Sequence, residues 1–122
     1  MKGINTAGVI AGQASFVSGR TTTYRATRWV PSGGGFIAQL LPDLGAGSAG
    51  GQVAQSGDFG GCVFFVGNCV PVVWLAGGSM HYLGYAGSSA PGVSGIASTA
   101  TGGFVTGSGA RNGVKVAMRW RY

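Results

Sequence analysis

Acid–base catalysis needs a carboxylate or an imidazole poised by its surroundings, and this sequence offers only Asp43, Asp58 and His81. They are isolated from one another along the chain. A Ser-His-Asp triad can be assembled from them on paper, but no Gly-x-Ser-x-Gly elbow is present to present a nucleophile. Two Cys, one His and two Asp show no zinc or calcium spacing. The glycine-rich stretch Gly45–Gly51 lacks the Lys and the following helix of a phosphate loop. Asp43 follows Pro42, and Asp58 stands in Gly57-Asp58-Phe59; both are settings for turn residues. His81, in Met80-His81-Tyr82, reads as a partly exposed strand residue. The sequence therefore predicts no catalytic residue, no metal and no cofactor.

Cys62 and Cys69 are the reactive pair that remains. They flank Val63-Phe64-Phe65-Val66-Gly67-Asn68, at the two ends of a predicted hairpin loop. In an exported protein they would form a disulfide closing that loop; reduced, they would be two small buried hydrophobes. A tight turn at Gly67-Asn68 would put Cys69 opposite Val66 and leave Cys62 too far away, so the bond is expected to need a wide loop. Val63 to Val66 are expected as strand residues in the core or at a subunit seam, since four apolar residues at an open loop tip would aggregate. The other reading makes Phe64 and Phe65 a knob for a partner. Cations alternate with aromatics in Arg119-Trp120-Arg121-Tyr122, a pattern that can stack sugars or bases. Phe64, Phe65, Arg119, Arg121 and Tyr122 are thus the candidate partner contacts.

The elements that carry these residues are announced by composition. Gly makes up 26 of 122 residues and charged residues only 8%, yet 45% of the chain is hydrophobic. Disordered chains lack such apolar content, so the glycines are expected to serve turns and close strand packing in an ordered all-β chain. The absence of a Gly-X-Y period removes collagen. The formal charge is +6, with no Glu; the basic residues are scattered along the chain, as on a surface that is basic without a ligand, and the other reading is attraction to an anionic polysaccharide or a cell-surface ligand, while nothing marks a specific nucleic-acid site. No run reaches the ~18 apolar residues of a membrane-spanning helix. Met1-Lys2-Gly3-Ile4-Asn5 lacks the apolar core of an export signal, so an exported chain would be a mature piece or a fragment.

Three tryptophans then supply a ruler. Trp29, Trp74 and Trp120 lie 45 and 46 residues apart. Each follows a small or turn-compatible residue three positions earlier: Ala26, Pro71 and Ala117. Upstream of each lies a paired-glycine element, Gly8 to Gly12, Gly57 to Gly61 and Gly103 to Gly107. Leu44-Gly45 and Leu83-Gly84 recur downstream. Four landmarks in one order predict an internal repeat within a single domain, 1–122, with units near 4–49, 50–95 and 96–122. In the second unit the strands are expected near Val53–Gln55, Asp58–Val63, Cys69–Leu75 and Ser79–Leu83. Four short strands per ~45 residues is the pattern of an antiparallel propeller blade. The repeated tryptophans are then packing residues between blades.

The closing segment is the clearest strand. Val114, Val116, Met118, Trp120 and Tyr122 alternate with Lys115, Ala117, Arg119 and Arg121, after an Asn112-Gly113 turn signal. The third unit stops one strand short, and three blades cannot close a ring of four or more. Two chains of three would make six, so self-association or further repeats in a longer chain are expected.

These residues resemble the HAF repeat of bacterial extracellular repeat proteins. Ile4-Asn5-Thr6-Ala7-Gly8-Val9-Ile10-Ala11-Gly12 is similar to its first element, and Val53 to Gly61 is a looser copy. Ala26-Thr27-Arg28-Trp29 and Ala117-Met118-Arg119-Trp120 are similar to its second element. The sequence departs at the His that usually precedes the Ala, replaced by Arg25, Val70 and Val116. It departs again at the Phe, replaced by Thr27, Val72 and Met118. The resemblance implies a secreted or surface-exposed, propeller-like module and no activity.

The sequence as a whole reads as a non-catalytic β-repeat module of a secreted or surface bacterial protein, used for binding or structural assembly. The competing reading is the end of an outer-membrane β-barrel, whose closing strand alternates and ends on an aromatic as Val114–Tyr122 does. Glycine breaks most other segments below the ~9–11 residues such strands need.

Overall fold

The computed structural model describes residues 2–66, 68–83, 89–99, 102–111 and 114–122, and no helix occurs among them. Strands form where Thr, Val, Phe, Tyr and Trp gather, as in Thr21–Ser32, because such side chains fit a pleated, half-buried surface. Glycine pairs turn the chain between them. Gly33 and Gly34 both take positive φ, 56° and 85°, which is the two-residue turn whose twist matches a hairpin.

Eleven strands are described. β1 (Gly3–Ile4), β2 (Ile10–Ser18), β3 (Thr21–Ser32) and β4 (Gly35–Leu40) form one antiparallel sheet in chain order. β5 (Ser48–Val53), β6 (Phe59–Phe65), β7 (Asn68–Trp74) and β8 (Met80–Tyr82) form a second. β9 (Ser89–Thr99), β10 (Gly102–Arg111) and β11 (Val114–Arg121) form a third, of three strands. The strands divide into three separate sheets, so the single closed sheet of an outer-membrane barrel is not what these residues make.

The sheets stack in series. β5 lies across β1, β2 and β3, and β9 lies across β5, β6 and β7. Between the first two sheets sits a core of Ala11, Ala26, Leu41, Phe59, Val63, Val72 and Trp74. Between the second and third sits another, built on Val73, Leu83 and Val105 with Val93, Ile96, Trp120 and Tyr122 packed against it. Because neighbouring residues on a strand point to opposite faces, Val72 and Val73 serve the two different cores.

One register recurs. Ile10 pairs Trp29, Phe59 pairs Trp74, and Val105 pairs Trp120. The row continues inward to Ile4, Val53 and Ile96 on the first strand of each sheet. Leu41 donates its backbone N–H to the Ala26 carbonyl, and Leu83 does the same to Pro71. Both carbonyls belong to the residue three before a Trp.

Three of the four strands expected in the second unit fall where the spacing placed them. The first differs: β5 is Ser48–Val53, whereas 54–57 form a turn closed by Gly57 N–H to the Ala54 carbonyl. β9 begins at Ser89, so residues that the spacing gave to the second unit open the third sheet. In β11 the expected alternation is present from Lys115 to Tyr122, with Val116, Met118, Trp120 and Tyr122 half-buried and the residues between them exposed. The expected turn at Asn112-Gly113 lies outside the described residues.

Candidate functional site

The three residues able to do acid–base work are held apart and put to structural use. Asp58 precedes β6, and both its oxygens are occupied. Oδ1 accepts the Ala76 N–H at 2.9 Å, and Oδ2 accepts the Tyr122 hydroxyl at 3.0 Å. Burial, with that hydrogen bond and the Asp58 charge adding to it, pushes the Tyr122 phenol well above its ordinary range. Asp43, in the loop from β4 to β5, accepts Gly45 N–H on Oδ1 at 2.9 Å. Its Oδ2 lies 3.1 Å from Arg25 Nε, an ion pair whose angle does not make a hydrogen bond. Arg25 spends a hydrogen bond on the Leu41 carbonyl instead, at 2.8 Å from Nη2. His81 is exposed on the edge strand β8, opposite Val73. None of these partners of Asp43 or Asp58 is His81. Among the described residues no group of three His, Cys, Asp or Glu side chains could hold a metal.

Both acids of the chain therefore stand near an arginine of β3. Arg28 is only 9% exposed. It crosses from the first sheet to the second, where Nη1 donates to the Gly57 carbonyl at 3.4 Å, while Nε donates to Gln39 Oε1 at 3.0 Å. Burial lowers its pKa, and Asp58 opposes that shift. Sequence reasoning missed this buried arginine. Its partners lie 11 and 29 residues away, and only the alternation of β3 around Trp29 hints which face it takes.

Cys62 and Cys69 are joined by a disulfide. It does not need the wide loop expected of it. Phe65 pairs Asn68, so the paired ends of β6 and β7 stand directly opposite each other, with Val66 beyond Phe65 at a positive φ of 49°; Gly67 lies outside the described residues. Cys69 pairs Phe64, not Val66, and Cys62 pairs Pro71. The two cysteines are then diagonal neighbours on one face, with Cα atoms 5.4 Å apart, inside the range a disulfide spans. The sheet's twist closes the diagonal. Beyond them Val63 is buried and Phe64 half-buried, but Phe65 and Val66 are exposed at the tip.

The three tryptophans are set on faces of one kind. Trp74 is fully buried between the first two sheets, edge-on to Phe59 at 5.5 Å, with Nε1 donating to the Pro42 carbonyl. Trp120 faces the second sheet within its shared core. Each points at the sheet before its own. Trp29 takes the same side of the first sheet, away from the second. By register Ile10, Phe16, Phe36 and Leu40 share that side, and Phe16, Phe36 and Leu40 are 46%, 56% and 46% exposed. A shallow cleft of about 330 Å³ runs along it, lined by Phe16, Thr23, Arg25, Leu40 and Asp43 among others.

The outer face of the third sheet is of opposite character. Lys115, Ala117, Arg119 and Arg121 are exposed there, and the Arg119 guanidinium lies 5.2 Å from the centre of the Phe104 ring. Of the expected partner contacts, then, Phe64 and Phe65 sit at the β6–β7 tip, and Arg119 and Arg121 on this outer face. Tyr122 is turned inward to Asp58. They do not form one site.

Comparison with protein-family models, curated proteins and solved structures finds no match.

Proposed function

We propose that the chain is a non-catalytic β-repeat module of a secreted or surface bacterial protein, that each sheet is a propeller-type blade, and that the module works by assembly. The observation that carries this reading is the recurrent Trp register. Ile10, Phe59 and Val105, each two residues after the opening glycine of its element (Gly8, Gly57, Gly103), pair the three tryptophans in the three sheets. The recurring Leu41–Ala26 and Leu83–Pro71 bonds support the same unit. The resemblance to HAF repeats belongs with this reading, and so does export, which suits a disulfide. Three blades leave an apolar end face at Trp29, and a blade stack gains by covering such a face.

The ring follows from two chains of three blades. Sedimentation velocity of the 122-residue chain should give a species of twice the chain mass, and negative-stain images should show a six-lobed ring. A monomer at tens of micromolar would sink the reading. A binding role for the cationic face of β11 predicts retention of the protein on an anionic polysaccharide matrix, lost when Lys115, Arg119 and Arg121 are replaced by Gln.

A further inference from the structure

We infer that the Trp29 face of the first sheet is the seat for the Arg119 face of the third sheet in a second copy of the chain, so that two identical head-to-tail seams close the assembly. This rests on the blade reading above and names its interface. The argument is continuity with two interfaces already inside the chain. At both, the Trp-bearing face of a sheet meets the opposite face of the sheet before it: Trp74 against the first sheet, Trp120 against the second. Trp29 lies on the face that has no preceding sheet. β5 and β9, the first strands of their sheets, each lie across the preceding sheet, whereas β1 opens the first sheet and has no preceding sheet among the described residues.

The third sheet's outer face matches the first sheet's at these positions, where the second sheet has Val73 and Pro71. In the first sheet the face that receives Trp74 bears Arg28 opposite Ala11, and Ala26 opposite Gln13. In the third sheet Arg119 lies opposite Thr106, and Ala117 opposite Ser108. Arginine therefore stands for arginine and alanine for alanine, with a small residue across from each arginine and a polar one across from each alanine. Arg28 is buried by the second sheet, where it reaches the Gly57 carbonyl. The counterpart of Gly57 in the first sheet is Gly8, so Arg119 is placed to reach the Gly8 carbonyl of the second copy. Small Ala117 leaves room for an indole, as Ala26 does beside the Trp74 core. Arg121 and Lys115 take the places of Val30 and Tyr24 at the margin, where long cationic side chains keep their heads in water. Both halves of the contact are on one chain, and a head-to-tail contact closes when its rotation fits a ring.

Sedimentation velocity on wild type, Trp29→Arg, Ala117→Trp and their equimolar mixture tests the seam, with circular dichroism confirming that each variant keeps its strand signal. The expected result is a wild-type dimer, two monomeric variants, and a 1:1 heterodimer on mixing, because one intact seam survives in the mixed pair. A Trp29→Arg or Ala117→Trp protein as dimeric as wild type overturns the seam while leaving assembly by blades intact, and so does a mixture that stays monomeric. A monomeric wild type overturns both.

Discussion

Asp58 shows how little chemistry is left over at the level of single residues. Its two oxygens tie the Ala76 backbone and the Tyr122 hydroxyl to the turn before β6, and Arg28 lies close enough to feel its charge. Those partners lie 18 and 64 residues from it along the chain. No local pattern in the sequence could have paired them, although the turn setting of Gly57-Asp58-Phe59 was legible. The Tyr122 phenol, raised first by burial and then by Asp58, gives a pH prediction with a definite sign. Above the ordinary tyrosine pKa of about 10 the unfolded chain releases this proton and the folded chain keeps it. The unfolded state then binds fewer protons, so stability falls as pH rises. This contribution is complete below pH ~10 and is lost progressively above it. Tyr122→Phe should flatten the alkaline decline between about pH 9.5 and 11, read by urea unfolding at a series of pH values. An unchanged slope would mean that the Tyr122 phenol is not held buried against Asp58 in solution.

Elements were legible where periodicity was strong and obscure where glycine and serine replaced it. The Trp ruler located β3, β7 and β11, because an aromatic in a strand of alternating pattern leaves a clear trace. β9 has no aromatic, and its Ser-Ala-Pro-Gly start carries no strand signal. The β6–β7 hairpin illustrates a different difficulty. The expected wide loop rested on weighing a tight turn only at Gly67-Asn68, and in a period-two structure a register one residue earlier changes every cross-strand pair. With Phe65 rather than Val66 as the last paired residue, Cys62 and Cys69 become diagonal neighbours. A bond closing so short a loop constrains the unfolded chain by about 2–3 kcal/mol. Cys62→Ala with Cys69→Ala should lower unfolding stability by that amount and keep the strand signal; reduction should act alike.

Packing between elements depends on glycine at one close approach. A Cβ on Gly50 in β5 would run into the Gly12 carbonyl of β2 and also touch the Phe59 ring at 3.0 Å. Backbone stands in the way, so rotamer changes give no relief. Gly50→Ala should cost about 3 kcal/mol or more, seen as a drop in the urea midpoint. An exposed control such as Gly33, with no neighbour within 4 Å of the added atom, separates this clash from the general effect of replacing glycine; the left-handed φ of 56° there adds its own strain, which makes the control conservative.

At the scale of the whole molecule, charge makes the assembly sensitive to salt in a direction that separates it from ordinary charge-matched association. Each chain carries a formal +6, and both of its acids already face cations or hydrogen-bond donors within the chain. A second copy therefore brings no unengaged Asp side chain to the seam. It brings a largely apolar face, with the paired Arg25 and Asp43 in its cleft, to a cationic one, against the long-range repulsion of two positive chains. Added salt shortens the reach of that repulsion, from about 30 Å at 0.01 M to about 8 Å at 0.15 M, while leaving the burial of Trp29, Phe16 and Leu40 largely intact. Dimerisation should consequently tighten between about 0.02 and 0.3 M NaCl, measured as a falling dissociation constant by sedimentation equilibrium. Folding of a dimer also becomes concentration-dependent, so the thermal midpoint should rise with protein concentration in wild type and not in Trp29→Arg. An association that weakens with salt would point instead to a contact held by opposite charges, for which the two acids, both engaged within the chain, leave no material.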